Sequence, residues 1–145
     1  MQAIHCTSDA PFVVKRLGEK RAREGAYPWR SLLDAGAVVT NGSDAPVEDV
    51  DPIESYYASV TRKRADSGMA FFPEQSMTRA EGLKAYTLSN AWAAFEEKDK
   101  GSLEVGKLAD VTVLSKNLLT CGDEEILDAK VLYTIIGGKV KHAAE

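Results

Sequence analysis

Short apolar runs alternate with segments of helical periodicity through the first 100 residues, and the pattern changes after that point. Residues 28–36 predict a short helix, because a proline suits its first turn and a glycine its C-terminal end. Residues 38–40 follow at once and predict a buried strand, since they are apolar and rich in β-branched side chains. Residues 3–6 predict the end of an earlier strand. Together these segments indicate alternating strands and helices.

Two longer helices are predicted by their N-terminal capping signals. Residues 52–64 should be helical, because Asp51 suits an N-cap and a proline follows it at the first helical position. Residues 78–97 should form a second helix, opened by a capping box between Thr78 and Glu81. Four residues should lie on the buried side of this second helix: Ala85, Leu88, Trp92 and Phe95.

The last third of the chain has the pattern of a small β-sheet. Residues 108–115 alternate between apolar and polar positions, and residues 131–136 form a strongly β-prone run. Gly137-Gly138 then predicts a two-residue hairpin turn into residues 139–141. We therefore place a boundary near Lys100, with an α/β segment before it and a mostly β segment after it.

Composition narrows the possible partners. The chain has 145 residues and a net charge of -4, so it carries no basic field for nucleic acid or for an anionic membrane, and we expect neither as a partner. The basic run at residues 62–64 is interpreted as a solvated helix face. Cys6 and Cys121 lie far apart in sequence and form no metal or redox motif, which predicts a reduced, cytoplasmic protein.

Two residues are candidates for chemistry. Asp44 follows the apolar run and a Gly-Ser pair, so it should lie at the carboxyl end of a strand, where barrel enzymes place catalytic groups. A carboxylate there can ligate a divalent metal and accept a proton from water. The alternative is an aspartate that caps a turn, helped by Pro46. His5 could bind a metal or a substrate carbonyl, or it could be a structural histidine.

The same segments resemble a known family. Residues 5–9, 27–36 and 40–47 resemble consecutive parts of the amidohydrolase superfamily, nearest to its YtcJ-like branch, amidohydrolase family 3. Residues 101–114 are similar to that superfamily's G-(S/T)-(I/L)-x-x-G-K-x-A-D-(L/V) segment, and residues 131–140 resemble its final hairpin. These resemblances cover nearly the whole chain and occur in the family's order.

The resemblance implies a fold and a site. Family members are (β/α)8 TIM barrels with a β-sandwich built from both chain ends, and they hydrolyse amide or other C–N bonds with one or two divalent metals. Residues 1–100 would then be the C-terminal part of the barrel, about strands 7 and 8 with their helices, and residues 101–145 part of the β-sandwich. Asp44 matches the family's strand-8 aspartate, which ligates metal and shuttles a proton. His5 lies on the strand-7 segment, where the resemblance implies a substrate contact.

The family's other metal ligands have no counterpart in these 145 residues. We therefore expect a C-terminal fragment of a hydrolase of small amide-like molecules, inactive alone and without tight binding of zinc, the expected metal. A rival prediction is a non-catalytic fragment or truncated gene product that associates with itself or with a missing N-terminal piece, because the predicted strands leave open edges. A second rival is a small α/β binding module unrelated to hydrolases.

Overall fold

The computed structural model describes residues 1–144, which form six α-helices followed by a three-stranded sheet. The helices are α1 (Ile4–Leu17), α2 (Glu19–Gly25), α3 (Trp29–Asp34), α4 (Pro52–Thr61), α5 (Arg79–Tyr86) and α6 (Leu88–Ala93). The strands are β1 (Val111–Leu114), β2 (Val131–Ile136) and β3 (Lys139–Ala143). Short 3-10 helices lie at Pro73–Gln75 and Glu124–Ile126. The α/β class predicted from the sequence is confirmed at this level.

The predicted strand end at residues 3–6 is wrong, because that segment is the start of α1. The buried positions Ala3, Cys6, Ala10 and Val13 recur at helical spacing over about three turns. A segment of four residues is too short to show this period, so it could not be distinguished from a strand. His5 consequently lies in the first turn of a helix.

The predicted buried strand at residues 38–40 is also wrong. The segment has no regular secondary structure, and Val38 is 50% exposed. The end of the segment and the residues after it nevertheless pair with the N-terminus. The Met1 amino group donates to the Thr40 carbonyl at 2.9 Å, and the Gly42 N–H donates to the Met1 carbonyl at 3.0 Å. These two bonds follow the pattern of a parallel ladder. One such step is too short to make a strand.

The two predicted helices are present with different ends. At α4 the Asp51 side chain accepts from the Ile53 N–H at 2.8 Å, as an N-cap should. At α5 both hydrogen bonds of the predicted capping box between Thr78 and Glu81 are made. The box is reinforced by Arg30, which donates twice to the Glu81 carboxylate, at 2.7 and 3.0 Å, and lowers the pKa of that carboxyl to about 2.

The predicted helix over residues 78–97 is broken at Thr87. Its hydroxyl donates to the Leu83 carbonyl at 2.9 Å, and its backbone leaves the helical region, so α5 ends before Thr87 and α6 begins after it. The apolar residues predicted for one buried face therefore do not all lie on it. Ala85 is buried as predicted, but Trp92 is 52% exposed and Phe95 is 93% exposed.

Helix α4 lies between two groups of buried side chains. Tyr56 and Tyr57 pack on one side with Ile126, which follows the first sheet strand. The other group joins α1, α2 and α3 to the segment after α4, through Trp29 and Phe71 among others. Side chains from the last third of the chain therefore pack against α4. The domain boundary near Lys100 stays a prediction.

The predicted sheet is confirmed for residues 111–143. The strand order is β1-β2-β3, with both pairs antiparallel. Gly137 and Gly138 both have positive φ angles, 56° and 74°, as the predicted two-residue hairpin requires.

Backbone conformation explains a glycine in the 101–114 segment. Gly101 has φ +90°, and a Cβ at this position would lie 2.7 Å from the Ala91 Cβ and 3.0 Å from the Leu88 Cα. A side chain would therefore clash with α6 as well as strain the backbone. The segment that leads into the sheet is thus packed tightly on α6.

The interpretation of residues 62–64 as a solvated helix face is wrong for Arg62. Its side chain is fully buried. The guanidinium lies 4.5 Å from the centre of the Trp29 ring and donates to the backbone carbonyls of Phe71 (2.7 Å) and Tyr27 (2.8 Å). Burial lowers the pKa of Arg62.

Within residues 1–144 no helix is long and apolar enough to cross a membrane. The cytoplasmic location and the absence of nucleic-acid partners stay predictions.

Candidate functional site

The segment that carries Asp44 is anchored by the buried Asn41. The Asn41 side-chain oxygen accepts from the Ala3 N–H at 2.9 Å, and its backbone N–H donates to the Ala85 carbonyl at 3.0 Å. The Asn90 amide donates to the Asn41 carbonyl at 2.9 Å. Three elements, the start of α1, α5 and α6, therefore hold the chain three residues before Asp44.

Asp44 itself has an unusual backbone. Its φ angle is 61°, in the left-handed region that aspartate tolerates better than most residues. The Val47 N–H donates to the Asp44 main-chain carbonyl at 2.9 Å and closes a turn, so Asp44 lies at a turn, whereas the predicted alternative was a side-chain cap. The side chain is 51% exposed. A carboxylate presented to solvent on a constrained backbone is suited to binding a ligand.

The structure brings His5 and Asp44 together, although 39 residues separate them. The His5 Nε2 lies 3.3 Å from the Asp44 Oδ2. On the other side of the ring, Nδ1 lies 2.9 Å from the Glu48 Oε1. Desolvation of the ring lowers the pKa of His5, but the hydrogen bonds to Glu48 and Asp44 outweigh it and raise the pKa above its usual value. Both ring nitrogens thus face carboxylates.

Glu48 is the functional candidate that sequence reasoning did not single out. It is a loop residue 43 positions from His5, and no spacing rule joins the two. Only the turn that begins at Asp44 brings its carboxylate back over α1. Its side chain is 19% exposed, less than half as exposed as that of Asp44.

Other residues with titratable or nucleophilic side chains near the loops do not join this cluster. Asp9 accepts a hydrogen bond from the Tyr27 hydroxyl, and Arg30 binds Glu81. Cys6 is buried, and this burial raises the pKa of its thiol to about 12. A nucleophilic pair of Cys6 with His5 is therefore not supported, because a thiol with a raised pKa is a poor source of thiolate.

The cluster of His5, Asp44 and Glu48 could supply one ligand to a metal ion, but it does not form a complete metal site. Asp44 Oδ2 contacts His5, and within residues 1–144 its Oδ1 has no hydrogen-bond partner, so one carboxylate oxygen is free to ligate. Both His5 ring nitrogens are already in contact with carboxylate oxygens, so neither is open to a metal ion. No group of three or more His, Cys, Asp or Glu side chains in the described residues could hold a metal ion, whereas catalytic zinc uses three protein ligands.

Comparison with known proteins places this geometry in a family. A model of the amidohydrolase family matches residues 1–142. The chain belongs to the amidohydrolase family, and the YtcJ-like assignment made from the sequence is confirmed.

Three curated relatives show the extent of the similarity. The chain is 38% identical to the protein LONG AFTER FAR-RED 3 of Arabidopsis thaliana over 96% of its length. It is 31% identical to the putative amidohydrolase YtcJ of Bacillus subtilis over 97%, and 32% identical to the N-substituted formamide deformylase of Arthrobacter pascens over 86%. The matches cover 24%, 27% and 23% of those proteins, so the chain spans about a quarter of the length of these relatives.

A solved structure agrees with the family assignment. The chain superimposes on a metal-dependent hydrolase of Pyrococcus furiosus with a TM-score of 0.68 and 30% identity. The match covers 82% of this chain and 23% of that one. The arrangement of helices and sheet is therefore one that occurs inside a larger hydrolase.

Proposed function

We propose that this chain contributes Asp44 to the active site of a metal-dependent hydrolase acting on non-peptide C–N bonds. The remaining metal ligands would come from residues outside these 145. The observation that carries the proposal is the Asp44 carboxylate, which is held by His5 through one oxygen and exposed at the other. Family membership supplies the reaction class.

The fold around Asp44 supports a barrel setting. Thr40 and Gly42 pair with Met1 in a parallel pattern, and Asp44 follows directly. In a (β/α)8 barrel the carboxyl ends of the parallel strands carry the catalytic groups. We therefore propose that residues 1–100 form the C-terminal part of such a barrel, and residues 101–145 part of a β-sandwich.

Asp44 would act in two ways. It would ligate a divalent metal, for which zinc is our proposal, through its exposed oxygen. A bound metal of this kind acidifies a coordinated water and polarises the scissile carbonyl. The Asp44 carboxylate would accept a proton from the attacking water and return it to the departing nitrogen.

The proposed substrates are small molecules with an amide-like C–N bond. The formamide deformylase of Arthrobacter pascens makes N-substituted formamides the first compounds to assay. His5 would contact such a substrate only if its Nε2 exchanged the Asp44 carboxylate for the substrate carbonyl. The predicted substrate role of His5 is therefore less direct than a role through Asp44.

Zinc titration of the 145-residue chain tests how much of the site it contains. We expect no stoichiometric binding, because one carboxylate and a histidine occupied by two carboxylates do not supply the three protein ligands of a catalytic site. Calorimetry and metal analysis after dialysis should both give close to zero zinc per chain. Asp44→Asn should titrate like the unsubstituted chain, and a tight one-to-one site in either protein would contradict the proposal.

A second candidate, a non-catalytic chain that associates with itself, is favoured by one face of the sheet. Directly paired residues put five apolar side chains on this face: Val111, Val113, Tyr133, Ile135 and Val140. Val113, Tyr133 and Val140 are exposed. Apolar faces of this kind are often covered by another chain.

Sedimentation of the isolated chain tests this candidate. We expect its mean mass to rise with concentration, and Val140→Thr to weaken association because it makes the face more polar. His142→Thr is the matched control, since His142 pairs with Thr134 on the opposite face. A monomer at all concentrations, or equal effects of the two substitutions, would count against self-association through this face.

A further inference from the structure

The peptide group between Thr40 and Asn41 is held from both sides. The Thr40 carbonyl accepts from the Met1 amino group at 2.9 Å. On the other side, the Asn41 N–H donates to the Ala85 carbonyl at 3.0 Å. Ala85 lies in the last turn of α5, where carbonyls have no partner within their own helix. Because α5 ends before Thr87, the Ala85 carbonyl is available to this segment.

The next peptide group, between Asn41 and Gly42, is held in the same way. Its N–H, from Gly42, donates to the Met1 carbonyl and to the Asn41 Oδ1, each at 3.0 Å. Its carbonyl, from Asn41, accepts from the Asn90 side-chain amide at 2.9 Å. Because a peptide group is planar, bonds on its two opposite sides fix its rotation about the chain. Asn90 therefore supplies one of the bonds that hold this peptide.

Beyond this peptide the backbone is held less firmly up to Asp44. The Gly42 carbonyl lies 3.5 Å from the Ser55 Oγ, at the limit of a hydrogen bond. Within residues 1–144, neither Ser43 nor Asp44 has a backbone hydrogen bond to another element. Asn90 therefore makes the last short contact from another element to the backbone ahead of Asp44.

The neighbours of the Asn90 side chain determine which end of its amide makes this contact. The Asn41 and Tyr86 carbonyl oxygens lie 2.9 and 3.4 Å from the Asn90 Nδ2. A carbonyl oxygen can only accept, so the amide nitrogen has to face both of them. A carboxylate in its place would bring a negative oxygen against two carbonyl oxygens. The position therefore requires a donor, and aspartate, although of the same shape, cannot replace asparagine.

We propose that Asn90 is a positioning residue for Asp44: by fixing the Asn41–Gly42 peptide, it sets the direction in which the chain enters the turn that begins at Asp44. The inference rests on the proposed function of Asp44 as a proton acceptor. A displacement of about 1 Å at a reacting group can cost about 100-fold in rate. Loss of the Asn90 donor should therefore lower turnover more than it lowers stability.

Hydrogen exchange of the 145-residue chain tests the contact itself. Asn90→Asp should speed exchange of the Asn41 and Gly42 amides by about tenfold, the scale of one lost hydrogen bond. The Phe71 amide, which bonds to the Arg62 carbonyl, is the internal reference and should be unchanged. Asn90→Ala removes the donor without the repulsion, so it should have a smaller effect on the same two amides.

Asn117→Asp is the matched control. The Asn117 Oδ1 accepts from the Leu119 N–H at 3.0 Å, so a carboxylate keeps this bond while the net charge changes as in Asn90→Asp. The control should leave the Asn41 amide unchanged. Equal exchange of that amide in both variants, or an equal rise at Phe71 and Asn41 in Asn90→Asp, would overturn the proposal. If Asn90→Asp does not fold, Asn90→Ala takes its place in the comparison.

Kinetics of the proposed hydrolase test the consequence for Asp44. With N-substituted formamides as the probe, Asn90→Ala should lower kcat about 10- to 100-fold, while KM and the melting temperature hardly change. A residue that only stabilises the fold would lower the melting temperature and leave kcat of the folded enzyme unchanged. That second pattern would contradict a positioning role.

The two proposals fail in different ways. If Asp44→Asn leaves kcat unchanged, the proposed function of Asp44 is wrong, and Asn90 has no catalytic group to position. If Asp44→Asn lowers kcat but Asn90→Ala does not, Asp44 keeps its role and the inference about Asn90 is wrong.

Discussion

Asp44→Asn should lower kcat of the proposed hydrolase by about 10³-fold or more. The amide cannot accept a proton from the attacking water, and loss of a general base alone costs about 10²- to 10⁴-fold. It is also a poorer metal ligand than a carboxylate, so zinc content should fall together with turnover. The measurement is steady-state hydrolysis of N-substituted formamides and related amides, with zinc determined on the same samples.

The substitution is suited to the backbone at this position. Asparagine adopts the left-handed region at least as readily as aspartate, so the φ angle of 61° should be retained and the melting temperature should hardly change. Asp49→Asn is the matched control, since it removes one charge from the same loop while its side-chain oxygen can still accept from the Asp51 N–H. Full activity in Asp44→Asn, or an equal loss in Asp49→Asn, would show that the site is misassigned.

The predictions from sequence that the structure confirms rest on local chemistry. The caps at Asp51 and Thr78 need only neighbouring backbone N–H groups, and the Gly137-Gly138 hairpin needs only two residues that tolerate positive φ. Such signals are complete within a few residues. They placed the starts of α4 and α5 and the turn of the sheet correctly.

The predictions that failed depended on partners distant in sequence. Residues 38–40 have the composition of a buried strand, but a strand also requires neighbours, and here a single step of parallel pairing with Met1 is present. Helix α5 ends just before Thr87, at the place where Gly101 packs close to the Thr87 backbone. A stripe of apolar residues does not show where another segment will cross it.

The same difference between local signals and partners distant in sequence applies to the residues of the candidate site. Asp44 is predictable from its surroundings in sequence, an apolar run and a Gly-Ser pair, because they are local. Glu48 is not, because its contact is with His5, which the loop turn brings within 2.9 Å. The sequence predicts His5 at the end of a strand, whereas it lies on a helix and still contacts Asp44. The sequence therefore indicates which residue types belong to the site, whereas their mutual orientation depends on the fold.

Arg62→Ala should destabilise the chain by about 2–4 kcal/mol, a large fraction of the stability of an ordinary domain. The substitution removes the Arg62 donors from the Phe71 and Tyr27 carbonyls. The Tyr27 carbonyl keeps the Trp29 N–H, but the Phe71 carbonyl loses its side-chain donor, and a buried acceptor left without a partner costs about 1–3 kcal/mol. It also removes the guanidinium from the face of Trp29 and opens a cavity. Relief of the desolvated charge offsets part of this loss. Urea unfolding followed by tryptophan fluorescence measures the difference.

Two further substitutions separate the causes of that loss. Arg62→Met restores most of the volume but none of the hydrogen bonds, so it should recover about half of the stability if cavity and hydrogen bonds contribute equally. Arg16→Ala is the matched control, because Arg16 also lies over an aromatic ring, Phe12 at 4.7 Å, but is exposed. It should cost less than about 1 kcal/mol. If Arg62→Ala is no more destabilising than Arg16→Ala, then Arg62 does not connect the Tyr27 and Phe71 segments in the way the structure indicates.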